Sequence, residues 1–387
     1  MSKQTVPYSS LDTPAVLVNL DQFEANIQEV TRLAADAGVQ LRPHVKLHEN
    51  AAMAKMQIEA GTSGVEVGNV AQAERMAQEG IDDILIAHPF YGDHKFRALE
   101  RFINKPGLKL SVVVDMVEQA KAISQIGQAA SVKVPVFIKI DTGVNRYGVL
   151  PGEPALDLAK KLRELPGIEL VGVYAHESGA VPSDEGVGKT ALEVGSATAE
   201  TARMLRKEGF TIKDVTVGAS PTFRATCRYI REGKLTDITE IHPGGCVVGD
   251  IMYMMSHGNT RQACALTVLT TVVSTAHACH VVIDAGYKTF GCDSLVQHRD
   301  TPDFFWEGMP SFGSVQTRPD LWLGRLGAES GVLIYKEPAG GRLCLGERLE
   351  IVPNNATLVI NLHEQVYGVR NGVIEKVIPV TGRGVGS

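Results

Sequence analysis

Lys46 stands at the end of a short apolar run in Leu41-Arg42-Pro43-His44-Val45-Lys46-Leu47-His48, with two histidines and an arginine beside it. Neighbouring cations and burial lower the pKa of such an amine, and a neutral amine is what attacks an aldehyde. Taken alone, the segment reads first as an ordinary strand end with a solvated lysine, because charged residues mostly lie outside. Further unusual residues follow downstream: Asp141-Thr142-Gly143-Val144-Asn145-Arg146, then His176, then Gly218-Ala219-Ser220-Pro221-Thr222, then His242-Pro243-Gly244-Gly245. Each has a plainer reading when taken singly: a turn, a structural histidine, a helix N-cap followed by Pro, a loop.

The elements that must position these residues alternate. From residue 14 to about 245, short β-branched apolar runs are each followed by a longer segment rich in Ala, Glu, Lys and Leu. The runs are 15–20, 41–45, 64–67, 83–88, 109–115, 134–141, 169–176, 213–218 and 239–242. This pattern implies parallel strands with crossover helices, and the scarcity of apolar/polar alternation fits strands buried on both faces. Nine runs are one more than an eight-stranded barrel needs, so the first is expected elsewhere and the barrel is expected to begin with the strand carrying Lys46. A doubly wound open sheet is the alternative, but no G-x-G-x-x-G fingerprint supports it. The expected fold is therefore α/β: a (β/α)8 barrel over 21–258, a β-rich C-terminal domain over 259–387, and an N-terminal segment, 1–20, joining the β-rich domain. In that domain 264–274, 281–284, 331–335, 348–352, 357–362 and 372–379 read as strands, around a loop-rich region through 301–319.

In a βα barrel, functional groups collect at the C-terminal strand ends, which is where the unusual residues fall. Together they suit a phosphorylated aldehyde cofactor. Lys46 would form the Schiff base, and the amides and hydroxyls around Ser220, Thr222, Gly244 and Gly245 would meet the phosphate. His176 is flat enough to stack on a ring, Arg146 is a fixed cation for a phenolic oxygen, and His242 could meet the ring nitrogen.

Composition removes several other classes. A net charge of −6 and a pI near 6.0 argue against nucleic-acid or anionic-membrane binding. No stretch approaches the roughly 20 apolar residues of a membrane span, and the N-terminus lacks the apolar core of a signal peptide. Cys227, Cys246, Cys264, Cys279, Cys292 and Cys344 are dispersed, which suggests reduced thiols in the cytoplasm. There is no G-x-S-x-G, P-loop or H-E-x-x-H, and His44 and His48 lie on an extended segment where a spacing of four does not bring two ligands together.

The ordered set of motifs resembles the D-threonine aldolase/D-serine dehydratase family of fold-type III pyridoxal-phosphate enzymes, whose barrel is alanine-racemase-like. Its markers are Arg-Pro-His-Val-Lys around Lys46, Ile-Asp-Thr-Gly-Val-Asn-Arg-Tyr-Gly-Val at 140–149 and Gly-Ala-Ser-Pro-Thr at 218–222. Further markers are Glu-Ile-His-Pro-Gly at 240–244 and Asp-Ala-Gly-Tyr-Lys at 284–288. The resemblance runs from Leu11-Asp12-Thr13-Pro14 to Gly382-Arg383-Gly384. It implies pyridoxal 5'-phosphate on Lys46, Arg146 near its phenolate, His176 against its ring and the 218–222 and 244–245 loops at its phosphate. It also implies a homodimer with shared active sites.

One corner departs from the family. The resemblance implies a divalent metal held by a Pro-x-His-x-Cys type of segment, but here Pro353-Asn354-Asn355-Ala356-Thr357 puts Asn355 and Thr357 at the ligand positions. A Glu-Glu-His-Gly stretch likewise appears as Ala328-Glu329-Ser330-Gly331. Neutral amide and hydroxyl oxygens are poor ligands for zinc or manganese, so no metal site is expected and Asn355 and Thr357 become candidates for binding substrate directly.

The function expected is a lyase, aldolase or dehydratase, acting on β-hydroxy-D-amino acids, with catalytic residues Lys46, His48 and His176. His48, His88 or a group of the second domain would be the base. An amino-acid racemase or epimerase, which needs no metal, is the alternative. A non-catalytic cofactor carrier is a third reading, disfavoured by the large second domain.

Overall fold

The protein is seen in a computed structural model, which describes residues 6–256, 263–294, 305–337 and 341–385. Two compact units divide the chain: Ile27–Lys46 with Ala51–Gly244 and Gly384–Ser387, and Met1–Asn26 with Leu47–Asn50 and Gly245–Arg383. The boundary expected near 258 lies outside the described residues, as do residues 1–5 of the N-terminal segment and 301–304 of the loop-rich region.

The first unit is the expected parallel barrel. Its strands are Gln40–Leu41, Val65–Val67, Asp83–Ile86, Lys109–Val114, Val134–Ile140, Ile168–Ala175, Asp214–Val217 and Glu240–Ile241. The sheet runs from Gln40–Leu41 through Glu240–Ile241 and back in chain order to Val65–Val67. A parallel bridge between His44 and Glu66 then joins the last strand to the first. Crossover helices such as Val70–Gln78, Val117–Ala129, Glu153–Arg163 and Asp184–Lys207 connect the strands. Their starts are locally encoded: Asn69 accepts from the Gln72 amide at 2.9 Å, and Ser183 from the Gly186 amide at 3.0 Å.

Strand parity separates two chemistries. Val65, Val67, Ile84, Ile86, Val112, Val114, Val136, Ile138, Val215 and Val217 form one aliphatic cluster with the helices. Leu85, Ala87, Val113, Phe137 and Tyr174 lie on the opposite strand parity and form a separate small cluster with Val171, where the register of its strand shifts. Because successive side chains point to opposite faces, that parity is the barrel interior. It also carries the buried polar residues Glu66, Lys139 and Thr216.

The other unit is β-rich. Ala15–Asn19, the first of the nine runs, is absent from the barrel: it pairs antiparallel with Leu266–Ser274 and parallel with Gln365–Arg370. Leu266–Ser274 also pairs with Arg348–Pro353 and His280–Ile283, and Gln365–Arg370 forms a hairpin with Val373–Pro379. The expected strand at 357–362 is instead the helix Ala356–Leu362. Asn355 caps it, accepting from the amides of Thr357 at 3.1 Å and Leu358 at 3.4 Å. Ala356, Val359 and Ile360 are its buried face, a spacing of three and four that a short apolar run does not distinguish from a buried strand. Among the described residues no helix is long and apolar enough to cross a membrane, and all six cysteines are free.

Candidate active site

Lys46 follows the strand Gln40–Leu41 and lies in a 3-10 turn, Val45–Leu47, that opens after Pro43. The turn packs against the loop after the last barrel strand: the His44 amide donates to the Pro243 carbonyl at 3.3 Å. Gly244 is required there, since a Cβ at that position would stand 2.2 Å from the His44 carbonyl oxygen. Burial lowers the pKa of the Lys46 amine, Arg146 lowers it further, and Glu66 acts in the opposite sense.

Arg146 is set by a loop built around Asp141. The Asp141 Oδ1 accepts from the amides of Gly143 at 3.0 Å and Asn145 at 3.1 Å. The loop returns to the barrel where the Gly148 amide donates to Asp115 Oδ2 at 2.9 Å. A side chain at Gly148, whose φ is +112°, would come within 2.6 Å of the Asp141 nitrogen.

Four histidines belong to this end of the barrel, and all are held neutral. His88 and His176 are pushed down to about 3, by burial first and then by Lys46 and Lys139. His44 and His242 lie well below the usual imidazole value, again through burial first. His44 and His88 have ring centroids 5.8 Å apart. His242 stacks on Tyr174 at 4.3 Å and on His176 at 6.1 Å.

The phosphate-end residues behave unequally. Ser220 Oγ accepts from the Gly244 amide at 3.3 Å, so the two expected loops meet. Thr222 is fully buried, its hydroxyl donating to the Ala219 carbonyl at 3.2 Å and also bonding Glu177. Its hydroxyl is therefore engaged within the fold, which leaves the loop amides and Ser220 as the donors at that end. Gly245 belongs to the β-rich unit, where it starts the 3-10 turn Gly245–Val247.

Beneath these residues lies a layer that the motif reading passed over. Glu66 is 0% exposed and accepts from the Tyr174 hydroxyl at 3.0 Å. Lys139 is 3% exposed, with Nζ 3.6 Å from the Tyr174 ring centroid, and its pKa is lowered to about 7, by burial foremost. Arg42 Nε donates to Glu240 Oε2 at 2.9 Å. The sequence does carry a signal for this layer: Val-Glu-Val, Ile-Lys-Ile and Val-Thr-Val each set one polar residue inside an aliphatic strand, on the inward parity.

His48 lies in the β-rich unit, buried, with Nδ1 accepting from the Asn50 amide at 3.2 Å. Asn355 and Thr357 belong to the same unit. The Asn355 side chain is committed: Oδ1 caps the helix, and Nδ2 donates to Asp293 Oδ2 at 3.1 Å and to Met252 Sδ at 3.4 Å. A capping oxygen already accepting two amides is not a metal ligand, so this corner does not fit the divalent metal that the resemblance implies. Among the described residues no group of three or more His, Cys, Asp or Glu side chains is arranged to hold a metal ion.

The barrel end does fit pyridoxal phosphate. It offers an amine of lowered pKa, a nearby guanidinium, neutral imidazoles, and two buried ring nitrogens, His44 Nε2 and His242 Nε2, without a hydrogen-bond partner. Comparisons with known proteins agree. The model "Alanine racemase, N-terminal domain" matches residues 18–251, and a model named for serine dehydratase matches 265–369. A D-threo-3-hydroxyaspartate dehydratase of Delftia sp. (strain HT23) is 31% identical, over 90% of this chain and 91% of its own. A 3-hydroxy-D-aspartate aldolase of Paracoccus denitrificans (strain Pd 1222) is 29% identical, over 98% of this chain and 94% of its own. The crystal structure of D-threonine aldolase from Filomicrobium marinum superposes with a TM-score of 0.86 at 28% identity, covering 100% of both chains. An alanine racemase of Clostridium perfringens (strain SM101 / Type A) matches at 26% identity over only 43% of this chain and 42% of its own. The barrel, its lysine-bearing strand end and the β-rich unit thus place the chain in the alanine-racemase-like family, on the branch of the D-threonine aldolases and D-serine dehydratases.

Proposed function

We propose that the chain is a pyridoxal-phosphate-dependent lyase acting on β-hydroxy-D-amino acids, with aldol cleavage as its reaction and dehydration as the alternative outcome. The observation that carries the reading is the Lys46 amine, half-buried at a strand end, its pKa lowered by burial and by Arg146 and surrounded by neutral histidines. When bound there, the cofactor supplies an electron sink for charge developing at the substrate Cα.

The remaining work falls to the chain's own residues. Lys46 holds the cofactor and, as a neutral amine once released, can take or return a proton at Cα. Arg146 offers a fixed positive charge to the phenolic oxygen. His176 supports the ring from one side, with its Nδ1 tied to the Gly218 carbonyl at 3.1 Å. Ser220 and the amide of Gly245 are assigned to the phosphate, with the Gly244 amide holding Ser220 in place, and His242 to the ring nitrogen. His48 and His88 are the candidates to take the β-hydroxyl proton. In aldol cleavage the Cα–Cβ bond breaks, the β-carbon leaves as an aldehyde, and protonation of Cα gives glycine. In dehydration Cα loses its proton, the hydroxyl leaves as water, and hydrolysis releases ammonia and a 2-oxo acid.

Racemisation is disfavoured because the sequence match to an alanine racemase covers 43% of this chain, whereas that to a 3-hydroxy-D-aspartate aldolase covers 98%. A divalent metal has no part in the proposal, for the reason given by Asn355. Residence in the cytoplasm and a homodimer with shared active sites complete it. The reduced thiols support the former, the family likeness supports the latter, and sedimentation of the loaded protein tests the dimer.

Product analysis tests the reading. D- and L-β-hydroxy-amino acids are incubated with the cofactor-loaded protein in the presence of a chelator. Glycine and aldehyde from the D-substrates are expected. A 2-oxo acid with ammonia would assign dehydration, and substrate epimerised at Cα with no cleavage would overturn the lyase reading.

A further inference from the structure

At Leu47, one residue after the candidate lysine, the chain passes into the β-rich unit, and it leaves that unit again after Asn50. The crossing is not a loose one. His48, Glu49 and Asn50 are 1%, 7% and 0% exposed, three consecutive polar residues buried directly after the turn that carries Lys46. Burying such groups is costly unless the fold supplies their hydrogen bonds.

Glu49 has a φ of +46°. Left-handed backbone is uncommon outside glycine, and glutamate lacks the short side chain that helps Asn and Asp adopt it. Such backbone persists where its surroundings impose it, and it collects at functional sites. Here the surroundings are specific and lie within one unit. The Glu49 carbonyl accepts from the Gly382 amide at 2.7 Å, and Glu49 Oε2 accepts from Asn361 Nδ2, on the helix Ala356–Leu362. Asn50 Nδ2 donates to the Pro379 carbonyl, and the Asn50 amide donates to His48 Nδ1 at 3.2 Å. A Cβ at Gly382 would stand 2.8 Å from the Glu49 carbonyl oxygen, so the approach requires glycine.

Lys46 draws little from its own strand, Gln40–Leu41, which is two residues long and ends well before it. Upstream, the His44 amide ties the turn to the Pro243 carbonyl; downstream, the ties are those of Glu49 and Asn50. We propose that Asn361 and the close approach of Gly382 clamp the backbone just after Lys46, making Glu49 and Asn361 positioning residues for its amine. This rests on the reading of Lys46 as the cofactor lysine and extends it to the residues that keep the amine in place. A turn gripped on both sides confines the amine where burial favours its neutral form, and a loosened turn lets it reach water and regain its proton.

Competitive acetylation with acetic anhydride reads the Lys46 amine in the unloaded protein, because the neutral form is the one that reacts. In Glu49→Ala and Asn361→Ala the pH midpoint of Lys46 labelling should rise by about one unit. The rate of pyridoxal-phosphate uptake at neutral pH should then fall about tenfold, with the fraction of neutral amine. Glu49→Gln keeps an oxygen for Asn361 and should restore both. A clamp that served stability alone would lower the melting temperature of both alanine variants and leave the midpoint in place. An unmoved midpoint in the folded variants therefore overturns the proposal. If neither alanine variant folds, exchange of the Gly382 amide in the unaltered protein decides, because coupling between two sites is reciprocal. Fixing Lys46 to pyridoxal phosphate by borohydride reduction should slow that exchange, and an unchanged rate overturns the clamp. If the protein takes up no pyridoxal phosphate, it is the cofactor reading that fails, while the acetylation midpoint still tests the clamp.

Discussion

The imidazole of His242 lies flat on the phenol ring of Tyr174, with centroids 4.3 Å apart and planes 9° from parallel. The Tyr174 hydroxyl then reaches sideways to Glu66 Oε2 at 3.0 Å. One aromatic residue thus shapes the floor under the candidate ring site and gives one oxygen of a buried carboxyl group its hydrogen bond, while the other, Oε1, has no hydrogen-bond partner. Tyr174→Phe separates the two roles. It keeps the stack but removes a donor from a carboxyl group whose pKa burial raises well above its ordinary value. We expect a loss of about 1–2 kcal/mol in denaturant unfolding, with cofactor binding retained. Unchanged stability would show that the hydroxyl contributes nothing there.

Glu177 makes the fold sensitive to pH. It is buried, accepts from the Thr226 hydroxyl at 2.9 Å, and burial raises its pKa to about 7. The folded chain therefore holds this proton more tightly than the unfolded chain does. Stability falls as pH rises from about 4.5 to about 7, and the cost stays constant above that. Glu177→Gln keeps an oxygen acceptor and removes the titration. The variant should gain on the unaltered protein above pH 7, by on the order of 3 kcal/mol at most, and show no advantage near pH 4. Thermal unfolding across pH 4 to 8 reads this, and parallel curves for the two proteins would contradict it.

Asn355 stands where the resemblance implies a metal ligand. Its oxygen caps Ala356–Leu362 and its amide nitrogen bonds Asp293, which commits both ends of the side chain. Exhaustive chelation should leave turnover unchanged, and elemental analysis of the purified protein should find no stoichiometric zinc or manganese. Asn355→Ala should cost about 1 kcal/mol of stability, the usual value of an N-cap. One equivalent of tightly held metal, lost together with activity on chelation, would contradict the assignment.

Much of this is legible in the sequence. The alternation of apolar runs and helical segments makes the barrel legible, because uninterrupted aliphatic strands are the signature of a doubly covered parallel sheet, and the first of the nine runs pairs in the other sheet. Lys46, Arg146, His176, Ser220 and His242 were marked by lying at strand ends. The interior layer of Glu66, Lys139 and Thr216 was harder to see, because a strand embedded in aliphatic residues reads as core and its one polar member as an exception. The 356–362 helix was misread because seven mostly apolar residues fit both periods, and only the Asn355 cap distinguishes them.

Lys46 as the lysine that carries the cofactor has a competitor in Lys139, also buried and with an amine of lowered pKa. Borohydride reduction of pyridoxal-phosphate-loaded protein, followed by peptide mass mapping, distinguishes the two. A pyridoxyl group is expected on the peptide containing Lys46, and its loss in Lys46→Ala. A label on Lys139, or no stable label on either, would contradict it.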